Sequence, residues 1–87
     1  MAQIDIITTI KGGAGKVTVT KAGIDDIEIE SSGTSQMTLS AGDHFLMVGA
    51  EPPSGGTIEV KFEQSGTNLG SHTYKKAGTV SFQLEVS

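Results

Sequence analysis

Apolar and polar residues alternate with a period of two along most of the chain, in segments that begin at a glycine. After Gly56, for example, the apolar residues Ile58, Val60 and Phe62 are separated by single polar residues. Successive side chains of a β-strand point to opposite faces, so the alternation predicts strands with one buried and one solvated face. Similar segments follow six other glycines: Gly15, Gly23, Gly33, Gly42, Gly66 and Gly78.

The glycines that begin these segments recur every 8 to 14 residues between Gly15 and Gly78. No stretch keeps the i, i+3, i+4, i+7 apolar spacing of a helix. Regularly spaced turn signals are typical of β-sandwiches and barrels. We therefore predict a single all-β domain over residues 1–87, an antiparallel β-sandwich of seven or eight strands that is immunoglobulin-like in general form. A small closed β-barrel is the alternative.

The inward positions of the strands define a predicted core. The first strand is expected near residues 2–10, and the four apolar residues 45–48 predict a strand that is central or covered on its second face. The predicted core consists of Ile4, Ile6, Val17, Val19, Ile27, Ile29, Met37, Leu39, Leu46, Val48, Ile58, Val60, Phe62, Tyr74, Val80, Phe82, Leu84 and Val86.

Residues 11–18, KGGAGKVT, resemble the phosphate-binding loop of ATPases of the chromosome-partitioning kind. Such a loop opens a helix whose N-terminal amides hold the phosphates. Here the alternating β-branched residues after Lys16 predict a strand, and Val17 stands where a Mg²⁺-binding hydroxyl is needed. We therefore predict a glycine-rich hairpin loop at residues 11–16, between the first two strands, and no nucleotide site.

The densest acidic run comprises Asp25, Asp26, Glu28 and Glu30. Side chains on one strand face lie about 7 Å apart, whereas Ca²⁺ needs six to eight converging oxygen ligands. We therefore expect a solvated face. Asp25 and Asp26, at the entrance of the strand, are the remaining candidate for a Ca²⁺ site.

The two histidines are expected to be structural. Asp43 and His44 are adjacent, so they point to opposite faces of a strand and do not form a catalytic dyad. His72 is expected beside Tyr74. No nucleophile, base and orienting group converge, so we predict no catalytic residue and do not expect an enzyme.

Two large apolar side chains fall on the outward parity. Phe62 and Phe82 point inward, whereas Phe45 and Met47 point outward. Together with Ile7, which interrupts the alternation of the first strand, they are predicted to form an exposed apolar patch that contacts a protein partner. The alternative is that a neighbouring strand or loop covers them.

Composition excludes several classes of partner. The net charge is −4 and Lys and Arg form no patch, which argues against nucleic acid as a ligand. No window reaches the ~18 apolar residues of a membrane span. Cys is absent, so no disulfide or thiolate metal site is expected. Residues 1–5 lack the basic and apolar segments of a signal peptide, and the compartment stays open.

Residues 71–86 resemble the closing strands of PKD-type, immunoglobulin-like domains, which often end in the phrase HTYxxAGxYxVxLxV. The matching positions are His72-Thr73-Tyr74, Ala77-Gly78 and the alternating Val80, Phe82, Leu84 and Val86. The resemblance covers about the last fifth of the chain. It implies an immunoglobulin-like sandwich that acts as an interaction or spacer module rather than as an enzyme.

These features predict a non-catalytic structural or interaction module without a cofactor. It would bind a protein partner, or further copies of itself, through a sheet face or edge. By analogy at the level of the fold, it would suit an assembly component such as a virion decoration or tail protein. The alternative is a carbohydrate-binding accessory domain, with Phe45 or Tyr74 as stacking platforms.

Overall fold

The computed structural model describes all 87 residues and contains eight strands and no helix. The strands are β1 (Ala2–Lys11), β2 (Lys16–Thr20), β3 (Ile27–Ile29), β4 (Gly33–Leu39), β5 (Gly42–Glu51), β6 (Thr57–Gln64), β7 (Thr67–Tyr74) and β8 (Gly78–Val86). Each coincides with one of the alternating segments, so the period of two identified the strands correctly.

The strands form two antiparallel four-stranded sheets, with the orders β4-β1-β6-β7 (sheet A) and β3-β2-β5-β8 (sheet B). The inward faces of both sheets contribute to one cluster of 17 buried apolar residues. The β-sandwich is thereby confirmed, and the molecule is not a closed barrel. β5 lies between β2 and β8. This is the central position that the four apolar residues 45–48 predicted for their strand.

The core differs from the predicted one at four positions. Ile27 and Val80 are half-buried and pack against the core, each near the beginning of an edge strand whose later inward residues are buried. Ala50 and Thr8 are buried although neither was predicted to be. Ala50 is too small to stand out in the alternation, and Thr8 lies at an inward position of β1 that the sequence fills with a polar residue.

The predicted hairpin between the first two strands is wrong. β1 belongs to sheet A and β2 to sheet B, so residues 12–15 cross from one sheet to the other. This crossing packs against the loop between β5 and β6. A Cβ atom added to Gly12 would lie 2.8 Å from the Cα of Gly56, and one added to Gly56 would collide with the carbonyl oxygen of Lys11.

Both ends of the 87-residue chain lie at the same end of the sandwich. Ala2 is paired with Leu39, and Val86 is paired with Gly42. A turn of two residues connects Leu39 to Gly42, so the two terminal pairs lie at the same end. The side-chain amide of Gln64 holds Ser87 through two hydrogen bonds, each 3.0 Å long, in the manner of a neighbouring strand.

Candidate functional site

The outer face of sheet B carries two exposed large apolar side chains. Phe45 is 68% exposed and Met47 is 48% exposed. They are two residues apart on β5, so the same alternation that buries Leu46 and Val48 directs both into solvent. No neighbouring strand or loop covers them, so the covered alternative does not apply.

Uncharged residues flank these two side chains on the neighbouring strands. Met47 is paired with Thr20 on β2 and with Ser81 on β8, and Phe45 is paired with Gln83. The Ser81 hydroxyl donates to the Met47 sulfur atom at 3.0 Å. We call the surface formed by Phe45, Met47, Thr20, Ser81 and Gln83 the central patch. Its two apolar side chains are flanked on β2 and β8 by hydroxyl and amide groups.

The charged residues of this face lie towards its two ends. At one end the Lys16 ammonium lies 3.1 Å from a Glu28 carboxylate oxygen. The hydrogen bond and charge of Glu28 raise the pKa of Lys16. At the other end Asp43 and Glu85 are directly opposed across β5 and β8, which brings two like charges together. The face therefore has an uncharged centre and a charged rim.

Ile7 does not join the central patch. It lies in sheet A, paired with Thr34 and Lys61, on the outer face opposite to that of Phe45 and Met47. Its side chain is half-buried. The predicted three-residue patch therefore splits into the Phe45–Met47 pair and one separate isoleucine. Spacing along the chain gave the outward parity of Ile7 but not the sheet to which it belongs.

The glycine-rich stretch has the geometry of a crossing between sheets. Lys16 begins β2, and its side chain forms an ion pair with Glu28. Val17 is fully buried. No helix follows the loop, so the amides that would hold a phosphate are absent. Gly12 and Gly13 have φ values of 95° and 138°, in the region that favours glycine.

Asp25 and Asp26 are exposed in the connection between β2 and β3. No group of three or more His, Asp or Glu residues lies close enough together to hold a metal ion. The structure therefore brings no third ligand to this pair.

Both histidines make local contacts. The His44 ring nitrogen Nε2 lies 2.7 Å from the carbonyl oxygen of Ser40. The His72 ring packs edge-on against Tyr74, with centroids 4.7 Å apart. His72 and Tyr74 also contribute to an open groove of about 360 Å³ formed by residues 72–80 alone. This groove follows one turn and is not a cleft between elements.

Tyr74 connects the two sheets. Its hydroxyl donates to the carbonyl oxygen of Val48 across the sandwich at 2.6 Å, and burial raises its pKa to about 12. Its ring is almost fully buried, so it is not available as a stacking platform for a sugar. Of the two aromatic residues considered for that role, Phe45 alone is exposed.

No protein family, no curated protein and no solved structure matches this chain. The chain contains no helix that is long and apolar enough to cross a membrane.

Proposed function

We propose that the protein is a non-catalytic interaction module that binds a protein partner through the outer face of sheet B. The observation that carries the proposal is the exposure of Phe45 and Met47 side by side at the uncharged centre of that face. The centres of protein interfaces are enriched in aromatic residues and methionine and depleted of charge, with a polar rim around them. The face has this distribution.

The outer face of sheet A provides an internal comparison. Asp5 and Glu63 oppose each other on β1 and β6, and Lys61 lies opposite Ile7. Charged side chains therefore occupy its centre, where desolvation would be costly. Because the two faces share one scaffold, the difference supports sheet B as the binding face.

The proposal extends to a role in an assembly, such as a virion decoration or tail protein, at the level of analogy alone. The PKD-type relationship also stays a proposal, carried by the closing phrase from His72 to Val86. The strand order does not carry this relationship. The first two strands of an immunoglobulin domain share a sheet, whereas β1 and β2 lie in different sheets.

A photo-crosslinking experiment tests the binding face. A photoreactive phenylalanine analogue replaces Phe45 in one variant and Glu59, on the outer face of sheet A, in a matched control. After irradiation in the cells that produce the protein, we expect a discrete protein adduct from position 45 and none from position 59. Equal labelling from both positions, or no adduct from position 45, would contradict the proposal.

The carbohydrate alternative gives a different result. It would require retention on a polysaccharide column that is lost in Phe45→Ala and kept in Phe82→Leu, whose aromatic ring lies in the core. A single exposed ring offers one stacking contact. For this reason we place the protein partner ahead of carbohydrate.

A further inference from the structure

The edge strand β8 has an outer backbone edge without a partner in the chain. On its inner side it pairs with β5 in an unbroken register from Gly78 to Val86. None of the hydrogen bonds outside the strand ladders involves the backbone of these residues. A free row of amide and carbonyl groups can therefore pair with a further strand.

β8 also lacks the features by which edge strands usually avoid such pairing. Its nine residues include no Pro, Lys or Arg, and Glu85 is its sole charged residue. Two of the other three edge strands do have such features. β3 has only three residues, and the pairing of the edge strand β7 with β6 is interrupted by a register shift between Phe62 and Glu63. β4 is open as well, but it borders the charged face of sheet A. β8 instead contributes Ser81 and Gln83 to the central patch.

We propose that the protein forms a dimer in which β8 pairs in antiparallel fashion with β8 of a second copy, about a two-fold axis at Phe82. Phe82 is the middle residue of the strand, so this register pairs all nine residues. It places Ser81 opposite Gln83 of the second copy, and Thr79 opposite Glu85. The dimer thus adds a defined edge, β8, and a defined partner, a second copy of the chain, to the binding face.

The side chains in this register complement each other. The Ser81 hydroxyl, which donates to the Met47 sulfur atom, can accept a hydrogen bond from the Gln83 side-chain NH2 of the second copy, and the Thr79 hydroxyl can donate to the Glu85 carboxylate. Within its own chain Glu85 faces Asp43, so a donor on its other side offsets that like-charge contact. The two Glu85 carboxylates would lie about 20 Å apart, six strand positions at about 3.4 Å each. This is beyond the ~8 Å screening length at physiological salt.

Pairing at β8 would join the two B sheets into one continuous eight-stranded sheet. Both central patches would then lie on the same side of the dimer, next to the new strand pair. A target with two matching sites would be bound more tightly than by one copy. This last consequence rests on the proposed function, whereas the dimer does not.

Charge substitutions on the exposed side of β8 test the dimer by analytical ultracentrifugation. We expect the molar mass of the wild-type protein in solution to be twice the 9.0 kDa of one chain. Ser81→Lys/Gln83→Lys and Ser81→Glu/Gln83→Glu should each dimerise at least tenfold more weakly, and an equimolar mixture of the two should form a heterodimer. Thr34→Lys/Thr38→Lys, on the exposed side of β4, is the matched control and should still dimerise.

Engineered cysteines test the register independently, because the chain contains no Cys. An oxidised mixture of Ser81→Cys and Gln83→Cys should give a disulfide-linked dimer, whereas neither variant should link to itself. Rapid self-linking of Ser81→Cys would show a different register and overturn the axis at Phe82.

A wild-type protein that stays monomeric up to millimolar concentration would overturn the dimer. So would a dimer that persists in both charged β8 variants, or one that is lost in the β4 control. None of these outcomes changes the adduct expected from position 45, so the dimer and the binding face can fail separately.

Discussion

At the scale of single residues, Thr8 is the one buried polar side chain, and its hydroxyl has no hydrogen-bond partner. It lies on β1 between Gly33 and Val60, at an inward position. A buried hydroxyl that makes no hydrogen bond loses its hydration without compensation. The residue therefore weakens the core in which it lies.

Thr8→Val should stabilise the fold by about 1 kcal/mol, because a methyl group of similar size replaces the unpaired hydroxyl. Urea denaturation followed by circular dichroism measures the change in the free energy of unfolding. The neighbouring Thr9→Val is the control: Thr9 faces outward and is half-buried, and we expect little change. A loss of stability in Thr8→Val would show that the hydroxyl has a partner.

Tyr74 should make stability depend on pH in the alkaline range. The phenol ionises near pH 10 in the unfolded chain and near pH 12 in the folded protein, because burial disfavours the phenolate. The full stability is therefore present below pH 10. It should fall by roughly 2 to 3 kcal/mol as the pH rises from 10 to 12.

Tyr74→Phe should remove most of this alkaline decrease, while costing about 1 kcal/mol at neutral pH through the lost hydrogen bond to Val48. Denaturant titrations at several pH values compare the two proteins. An unchanged alkaline decrease in the variant would assign the effect to other groups, such as the lysines.

At the scale of elements, the two loops that cross between the sheets lie backbone against backbone. Gly56 comes so close to Lys11 that a side chain has no room there. This contact fixes the crossing after β1 against the crossing after β5. A glycine is thus required by a neighbour more than 40 residues away in the sequence.

Gly56→Ala should destabilise the fold by about 1 to 3 kcal/mol, since the new methyl group displaces one of the two loops. Gly78→Ala is the matched control, because a Cβ at that position meets no atom within 4 Å and the backbone φ is not positive. Thermal unfolding of both variants makes the comparison. Equal midpoints would mean that the loops separate at little cost.

The alternation of residues predicted the strands and most of the core, but not which strands are neighbours. The period of two is local, and it assigns each side chain to a face. The neighbours of β1 are β4 and β6, whose pairing depends on contacts far along the chain. For the same reason the outward positions of Ile7 and Phe45 were predicted correctly, but the prediction that they share one surface was wrong, because they lie on opposite faces of the sandwich.

At the scale of the whole molecule, the strand adjacency is that of an eight-stranded jelly roll whose chain starts at a different strand. The comparison becomes visible when the strands are renumbered so that β3 is the first and β2 the eighth. The sheet orders 3-2-5-8 and 4-1-6-7 then become 1-8-3-6 and 2-7-4-5, which are the orders of the jelly roll. The chain ends lie where that fold has a loop, and the exposed connection between β2 and β3 lies where that fold has its ends.

A circular permutant should therefore fold. In it, a short Gly/Ser linker joins Ser87 to Met1, and the chain is opened within the exposed residues 22–26. We expect it to keep the β-sheet spectrum and a cooperative unfolding transition. A second permutant, opened within residues 52–56, should be clearly less stable, because that loop packs on the crossing after β1. Equal stability of the two permutants would contradict this description of the loops.

The position of both chain ends at one end of the sandwich also has a mechanical consequence. Tension applied through the ends would pull β1 and β8 away from their neighbours starting at the terminal residue pairs, Ala2 with Leu39 and Val86 with Gly42. The ladders would open one pair at a time, as in unzipping, and would not resist together in shear. The domain would yield at low force when held by its own ends, and would resist more when pulled along the strands from opposite ends.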